Sequence, residues 1–531
     1  MRPSTVLREH GLALWLRAEH ALDQLCGAAL NPLRNLGALC FMCFWLLAVS
    51  GVLLYAWLDT SAQGAYRSID ALSRQPWYLG SWLPSLHRYA ADAFVVLMLA
   101  HLVREGLRGR YRGFRRFSWL TGVPLPLFVF ASAIVGFWLK WDQLGQFSAI
   151  ASAELLDALP LFASPLTRNF LAVSSAGDRL FSLFVFMHLG LPLLLLFGLW
   201  FHIQRINHAQ VFPPRPLAAS MGLALLALAV AMPVASLGAA DLSRAPQTLA
   251  LDWWLLFVHP LMYATSAGMT WLLLGAAMLM LLALPWWPPA KAAPRVPALS
   301  TSAVAKVDPA NCNGCRRCFA DCPFAAVTMV PHPDKALRQM AQVDAALCAG
   351  CGICVGSCPS STPFRSVADL VTGIDMPQLP LDSLRLRLQE QLAALPGRQR
   401  IVVFGCAGGA RVAALNGADV TSISLICTGM LPPSFVEYAL RAGAAGVLVT
   451  GCQQGGCEFR LGQRWTEERL SGLREPHLRA SVPRQRWDMV WADAGDEARV
   501  AKALAALRRR VAAAAQVALE ETLAAEDLPH A

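Results

Sequence analysis

The chain has 531 residues, of which 56% are hydrophobic and 15% charged, against roughly a quarter charged in an ordinary globular protein. Its mean hydropathy of +0.44 excludes a wholly soluble or disordered polypeptide. The net charge of +10 comes largely from arginine. It fits basic loops at a membrane face, and no nucleic-acid partner is expected.

Residues 1–35 set Leu7, Leu12, Leu14 and Leu16 among Arg8, Glu9, Arg17 and Glu19. They read as an amphipathic surface segment rather than a cleavable signal. Six apolar stretches follow at 36–57, 85–105, 119–140, 180–204, 216–238 and 253–286, each long enough for the roughly 20 residues that cross a bilayer. They define an all-α transmembrane bundle over 36–287, with membrane lipid as its surroundings. The loop after the second stretch carries Arg104, Arg108, Arg110, Arg112, Arg115 and Arg116, whereas 58–84 and 141–178 are charge-poor. By the positive-inside rule the basic loop is cytoplasmic. Six helices then put both termini, and everything after residue 290, in the cytoplasm of a bacterial-type inner membrane.

Four histidines carry the chemistry of this half. His87 and His101 lie on the second stretch and His188 and His202 on the fourth, 14 residues apart in each pair. Fourteen residues are nearly four helical turns, so the two imidazoles of each helix share a face roughly 21 Å apart along the axis. His87 is expected to meet His188 near the outer surface and His101 to meet His202 near the inner one. That arrangement suits two stacked bis-histidine hemes b, the alternative being hydrogen bonding between helices. His259, followed by Pro260, reads as a structural hydrogen-bonding residue near a kink. Cys26, Cys40 and Cys43 read as small packing residues.

Over roughly residues 25–208 the sequence resembles cytochrome b of the bc1 and b6f complexes. Gly37 and Gly51 on the first helix, and Gly122 and Gly136 on the third, repeat the 14-residue spacing. The resemblance implies that they let a porphyrin edge approach the backbone, making four of the six helices heme-binding. It also implies that Arg104 stands near a heme propionate, that 136–143 (GFWLKWDQ) ends the third helix beside an outer quinol site, and that the protein is a homodimer. The family's proline-glutamate-tryptophan-tyrosine motif is absent. In its place stand Asp252, Trp253 and Trp254, candidates for a quinone site and equally readable as an interfacial aromatic anchor.

A proline-rich linker over 288–306 leaves the membrane domain. Two copies of one motif follow within 307–366: Cys312, Cys315, Cys318 and Cys322-Pro323, then Cys348, Cys351, Cys354 and Cys358-Pro359. This is the bacterial ferredoxin run, in which the fourth cysteine of each copy serves the other cluster. One [4Fe–4S] cluster is expected on Cys312, Cys315, Cys318 and Cys358, and a second on Cys348, Cys351, Cys354 and Cys322, in an α+β ferredoxin-like domain. A zinc site would leave the duplication unexplained.

After a connector over 367–399, residues 400–531 read as a small α/β domain. Strands are expected at 401–404, 423–426 and 446–449 and helices at 433–443 and 496–523. Strand ends bring Cys406, Cys427 and Cys452 to one edge, with Cys457 five residues later. Four thiols suffice for one [2Fe–2S] cluster; free catalytic or structural thiols are the other reading. Cys427-Thr-Gly-Met, Glu437-Tyr-Ala-Leu-Arg-Ala-Gly443 and 446–452 (GVLVTGC), with Cys457, are similar to the delta (iron–sulfur) subunit of methyl-viologen-reducing hydrogenases. That resemblance implies a [2Fe–2S] cluster and exchange of electrons with a flavin-containing, heterodisulfide-reductase-type partner. Gly409 stands where the family usually has a second cysteine.

The whole chain thus reads as a multidomain electron-transfer subunit. It would link a cytoplasmic flavoprotein or hydrogenase-like partner to quinone or quinol through [2Fe–2S], two [4Fe–4S] and two hemes. Two other classes stand beside it: a redox sensor whose cluster states alter docking, and a thiol- or disulfide-processing last domain.

Overall fold

The computed structural model describes residues 3–75, 80–160, 165, 166, 171, 177–244, 248–287, 303–365, 369–397 and 399–526. Most of the proline-rich linker lies outside them. Residues 1–204 with 209–290 form one compact unit, and 205–208 with 291–531 form another.

The first unit is helical: α1 (Pro3–Cys26), α2 (Leu36–Trp57), α3 (Ala65–Ser73), α4 (Trp82–Leu107), α5 (Arg116–Gly122), α6 (Leu125–Lys140), α7 (Gln143–Asp157), α8 (Asp178–Ile203), α9 (Arg215–Ala231), α10 (Val258–Ala264) and α11 (Ala267–Ala283). Helix α2 packs on α4, α6 on α8, and α9 on α4. Between them lies a core of Cys40, Cys43, Phe44, Phe94, Val95, Leu125, Val129 and Leu195, so two of the three early cysteines do pack. Cys26 is exposed, its thiol donating to the Leu22 carbonyl at 3.0 Å. A second core joins Trp138, Trp141, Phe181 and Phe184.

Among the described residues, four helical stretches are long and apolar enough to cross a membrane: 36–57, 113–140, 178–203 and 267–286. Of the six expected, the second is a 26-residue helix, α4, that interrupts its apolar surface with Arg88, Asp92, Arg104 and Glu105. The fifth, α9, is 17 residues long. The sixth is broken. Thr265 leaves helical geometry, and the Ser266 hydroxyl accepts from the Met269 N–H at 3.1 Å, starting α11 afresh. A serine cap inside a continuous apolar run is invisible to hydropathy.

The N-terminal segment is fixed by one carboxylate. Glu19 on α1 is fully buried and accepts from Arg104 Nε at 2.7 Å, Arg108 Nη2 at 2.6 Å and Trp15 Nε1 at 2.8 Å. Burial alone would raise its pKa, but the Arg104, Arg108 and Arg34 guanidinium groups outweigh it and hold it below the usual value. A depressed folded-state pKa gives stability that is present above the unfolded value and lost as pH falls through the folded one. Glu19→Gln removes the carboxylate shared by Arg104, Arg108 and Arg34, leaving Arg34 with Asp23 and Arg104 with Glu105, and should destabilise the unit by on the order of 3 kcal/mol. Thermal unfolding in detergent checks this, with the deficit shrinking in acid as wild-type Glu19 also protonates.

The second unit opens with two short antiparallel pairs. Strand β1 (Lys306–Val307) pairs with β4 (Ile374–Asp375), and β2 (Val327–Pro331) with β3 (Gln339–Val343). The cysteine runs lead into α12 (Arg317–Asp321) and α13 (Ile353–Gly356), each entered through a left-handed residue, Arg316 and Gly352 respectively. Helix α14 (Leu381–Ala394) leads to a parallel sheet of order β6-β5-β7-β8, from β5 (Ile401–Cys406), β6 (Val420–Leu425), β7 (Gly446–Gly451) and β8 (Trp487–Trp491). Helices α15 (Ser434–Arg441), α16 (Gly462–Leu470) and α17 (Glu497–Glu526) complete it. Strands β5 and β7 are buried at every residue, which is why they read as continuous apolar runs. Edge strand β8, carrying Asp488, gave no such run.

Candidate functional site

The four histidines sit where their spacing placed them, on α4 and α8. The His87 and His188 rings face each other with centroids 6.4 Å apart and planes at 62°. Two metal–imidazole bonds of about 2.0–2.1 Å, each with about 1.1 Å from nitrogen to ring centre, sum to about 6 Å. One iron therefore fits between these rings. The outward nitrogens are engaged: His87 Nδ1 meets Ser50 Oγ at 2.9 Å, His188 Nδ1 meets the Ser132 carbonyl at 3.0 Å, and His202 Nδ1 meets Thr121 Oγ1 at 3.3 Å. A hydrogen bond at Nδ1 orients the ring with Nε2 toward a metal, as is usual for a metal-bound histidine. His101 lies within electrostatic reach of His202. Ser50, Thr121 and Ser132 were missed in the sequence. The signal was a hydroxyl directly before a spaced glycine, Ser50-Gly51 and Thr121-Gly122.

The four glycines turn out to face imidazole. A Cβ at Gly37 would lie 3.6 Å from His101 Cε1, at Gly51 3.2 Å from His87 Cε1, at Gly122 2.7 Å from His202 Cε1, and at Gly136 3.0 Å from His188 Cε1. Each glycine thus clears the ring of one histidine on a packed neighbour helix. Gly136→Val should push His188 aside, so the heme expected on His87 and His188 should be lost and the one expected on His101 and His202 kept, as optical redox titration would record.

Arg104 is 4% exposed and directs its guanidinium to Glu19 and Glu105. Asp252 ion-pairs with Arg88, the neighbour of His87, and accepts from the Leu255 N–H at 2.9 Å. Trp253 and Trp254 are exposed, as interfacial aromatic residues are. In 136–143, Asp142 caps α7 through the Gly145 N–H at 2.9 Å and pairs with Lys140 at 3.0 Å. His259 is buried, its Nε2 3.0 Å from Ser152 Oγ, a structural hydrogen bond as expected.

In the second unit two cavities open inside the ferredoxin-like part. One is lined by Cys312, Cys315, Cys318 and Cys358. The other is lined by Cys322, Cys348, Cys351 and Cys354. The interleaved sets expected from the repeat are therefore brought together, each with its fourth cysteine from the other copy. Burial, then the neighbouring Cys358, Cys315 and Cys312, push the Cys318 thiol up to about 12, so a bound cation is needed to make it a thiolate. The Ala326 N–H donates to Cys322 Sγ at 3.3 Å and Ser360 Oγ lies 3.0 Å from Cys358 Sγ, contacts of the kind that tune cluster potentials.

The last four thiols also converge. Cys406 ends β5, Cys427 follows β6 and Cys452 follows β7, with Cys406 Sγ 3.4 Å from Cys452 Sγ and Cys457 beside Cys427 and Cys452. All four are buried. A Cβ at Gly409 would lie 3.0–3.1 Å from backbone atoms of Gly451, Cys452 and Ala492. The place of the missing family cysteine is thus closed by main chain.

Against models of known families, residues 21–210 match cytochrome b/b6/petB, 311–362 the 4Fe-4S dicluster domain, and 401–514 the methyl-viologen-reducing hydrogenase, delta subunit. A solved structure titled "Hyperthermophilic respiratory Complex III" is 19% identical, covering 47% of this chain and 74% of its own, at a TM-score of 0.38, a likeness too slight to bear on fold or function. The cytochrome b match implies heme and the dicluster match implies iron–sulfur clusters. In one polypeptide the chain joins a cytochrome b-like membrane part, a 4Fe-4S dicluster part and a hydrogenase delta-subunit-like part, the makeup of a membrane electron-transfer subunit.

Proposed function

We propose that the chain carries electrons between a cytoplasmic flavoprotein, hydrogenase or heterodisulfide-reductase-like partner and the quinone pool of a bacterial-type inner membrane. The supporting observation is the coexistence of facing imidazoles 6.4 Å apart with two cavities each walled by four cysteines. When bound, two hemes b, two [4Fe–4S] clusters and one [2Fe–2S] cluster supply the one-electron carriers. His87 with His188, and His101 with His202, are the heme ligands. Cys312, Cys315, Cys318 and Cys358 hold one cubane and Cys348, Cys351, Cys354 and Cys322 the other. Cys406, Cys427, Cys452 and Cys457 hold the [2Fe–2S] cluster, and their domain is the partner's docking port. Both termini and both iron–sulfur domains face the cytoplasm, and the membrane part pairs as a homodimer.

Quinol oxidation in the membrane half releases two electrons and two protons. Its site is assigned to the outer side, where Asp252 supplies a carboxylate beside Arg88 and Trp253 and Trp254 supply exposed aromatic surface. Electrons then cross the membrane, and each charge moved through 100 mV involves about 2.3 kcal/mol. Reconstitution in liposomes with a quinol, a cytoplasmic-side acceptor and a potential-sensitive dye tests this. Turnover should slow under an opposing potential and in His87→Ala and Trp254→Ala; indifference to all three overturns the transmembrane route.

One observation favours a second reading of the last domain. Two thiols 3.4 Å apart are also what a dithiol site presents. Ready alkylation of Cys406, Cys427, Cys452 and Cys457 in anaerobically purified protein would select it.

A further inference from the structure

The dicluster part and the last domain belong to one compact unit, and their contact is asymmetric. The cavity walled by Cys322, Cys348, Cys351 and Cys354 is also lined by Ile353, which is fully buried. The far side of Ile353 meets the last domain. A Cβ at Gly462 would lie 3.7 Å from Ile353 Cδ1, 2.1 Å from Cys427 Sγ and 3.5 Å from Cys457 Sγ. One isoleucine and one glycine therefore separate this cavity from the thiols of the last domain. Cys351 also lies within electrostatic reach of Cys427 and Cys457. The lining of the other cavity, around Cys312, Cys315, Cys318 and Cys358, includes no residue after Ile374.

A buried ion pair holds this junction. Arg469 on α16 is 1% exposed and Asp321, one residue before Cys322, is 3% exposed. Arg469 Nη2 meets Asp321 Oδ2 at 2.5 Å, and its Nη1 donates to the Gly429 carbonyl at 2.9 Å. Arg474 Nη1 takes the other Asp321 oxygen at 2.7 Å, and Trp465 Nε1 donates to the Asp321 carbonyl at 3.1 Å. One guanidinium thus ties the end of α12, just before Cys322, to the turn that follows Cys427. A planar fork can hold both acceptors at once; a lysine ammonium offers only a point charge.

We propose that the cluster on Cys322, Cys348, Cys351 and Cys354 is the direct one-electron exchange partner of the group on Cys406, Cys427, Cys452 and Cys457, with Arg469 as the positioning residue that sets their separation. In each exchange one cluster loses the electron that the other gains. The proposal rests on the [2Fe–2S] reading of the last domain and deepens it.

Microwave power saturation of the [2Fe–2S] paramagnetic signal in fully reduced, full-length protein tests it, with iron analysis alongside. Cys315→Ala should remove about four irons and leave the fast relaxation of the signal unchanged. Cys348→Ala should also remove about four, yet lower the half-saturation power at least tenfold. Arg469→Gln touches no ligand. It should keep all the iron, lower the half-saturation power severalfold and lower the midpoint potential of a cluster that has lost a nearby positive charge. Arg469→Lys should restore the potential but not the relaxation. If Cys348→Ala loses more than four irons, the arginine variants decide. Relaxation that survives Cys348→Ala with the other irons retained, that is lost in Cys315→Ala, or that is untouched in Arg469→Gln overturns the proposal. A wild-type protein with about eight irons and no [2Fe–2S] signal overturns instead the reading beneath it.

Discussion

Replacing His202 with alanine should leave the protein with one b heme in place of two. His101 lies within electrostatic reach of His202, so losing the His202 ring would take away one of the two imidazoles expected to hold that heme. The other site is separate: His87 and His101 are 14 residues apart on α4, roughly 21 Å along the helix. His101→Ala should give the same result, and His87→Ala or His188→Ala the complementary one. Pyridine hemochrome assays should fall from two hemes per chain to one, with the surviving α-band unshifted. One heme or none in the wild-type protein would contradict the paired-histidine assignment.

Iron analysis should give about ten non-heme atoms per chain, eight in two cubanes and two in the last domain. The interleaving makes a sharper expectation. Cys358 lies ten residues after Cys348 in sequence, yet it lines the cavity of Cys312, Cys315 and Cys318. Cys358→Ser should therefore damage the cluster of the first run and spare that of its own run. Cys322→Ser should do the reverse. Paramagnetic resonance on each variant, with iron counts near six, would check the crossover. If each substitution destroyed the cluster of its own run, the two cavities would have been assigned the wrong way round.

What was legible in the sequence was local and periodic. Histidines 14 apart on apolar helices, a duplicated cysteine run and cysteines closing buried strands all follow from fixed spacing, and the folded chain brings each group together. Boundaries set by single side chains were not legible. The run at 253–286 reads as one span, yet it opens in a turn over 253–257 and is divided at Thr265 and the capping Ser266. Contacts between distant residues were equally hidden. Glu19 finds Arg104 across 85 positions and Arg469 finds Asp321 across 148, and nothing in either local pattern names its partner. Arg104 shows the consequence: the resemblance placed it near a heme propionate, and its pairing with Glu19 and Glu105 was not foreseen. The hydroxyls of Ser50 and Thr121 fall between these cases, since each precedes a spaced glycine and the pattern was there to be used.

The measurement that tests the central claim most directly is the time course of heme reduction in sealed liposomes. The iron–sulfur domains face outward, and a membrane-impermeant reduced viologen is mixed in rapidly. Electron transfer within one chain predicts that the b-heme α-band rises in wild-type protein and that Cys354→Ala, with its hemes intact, slows the rise at least tenfold. Heme reduction at the wild-type rate in that variant would contradict a route from the clusters to the membrane.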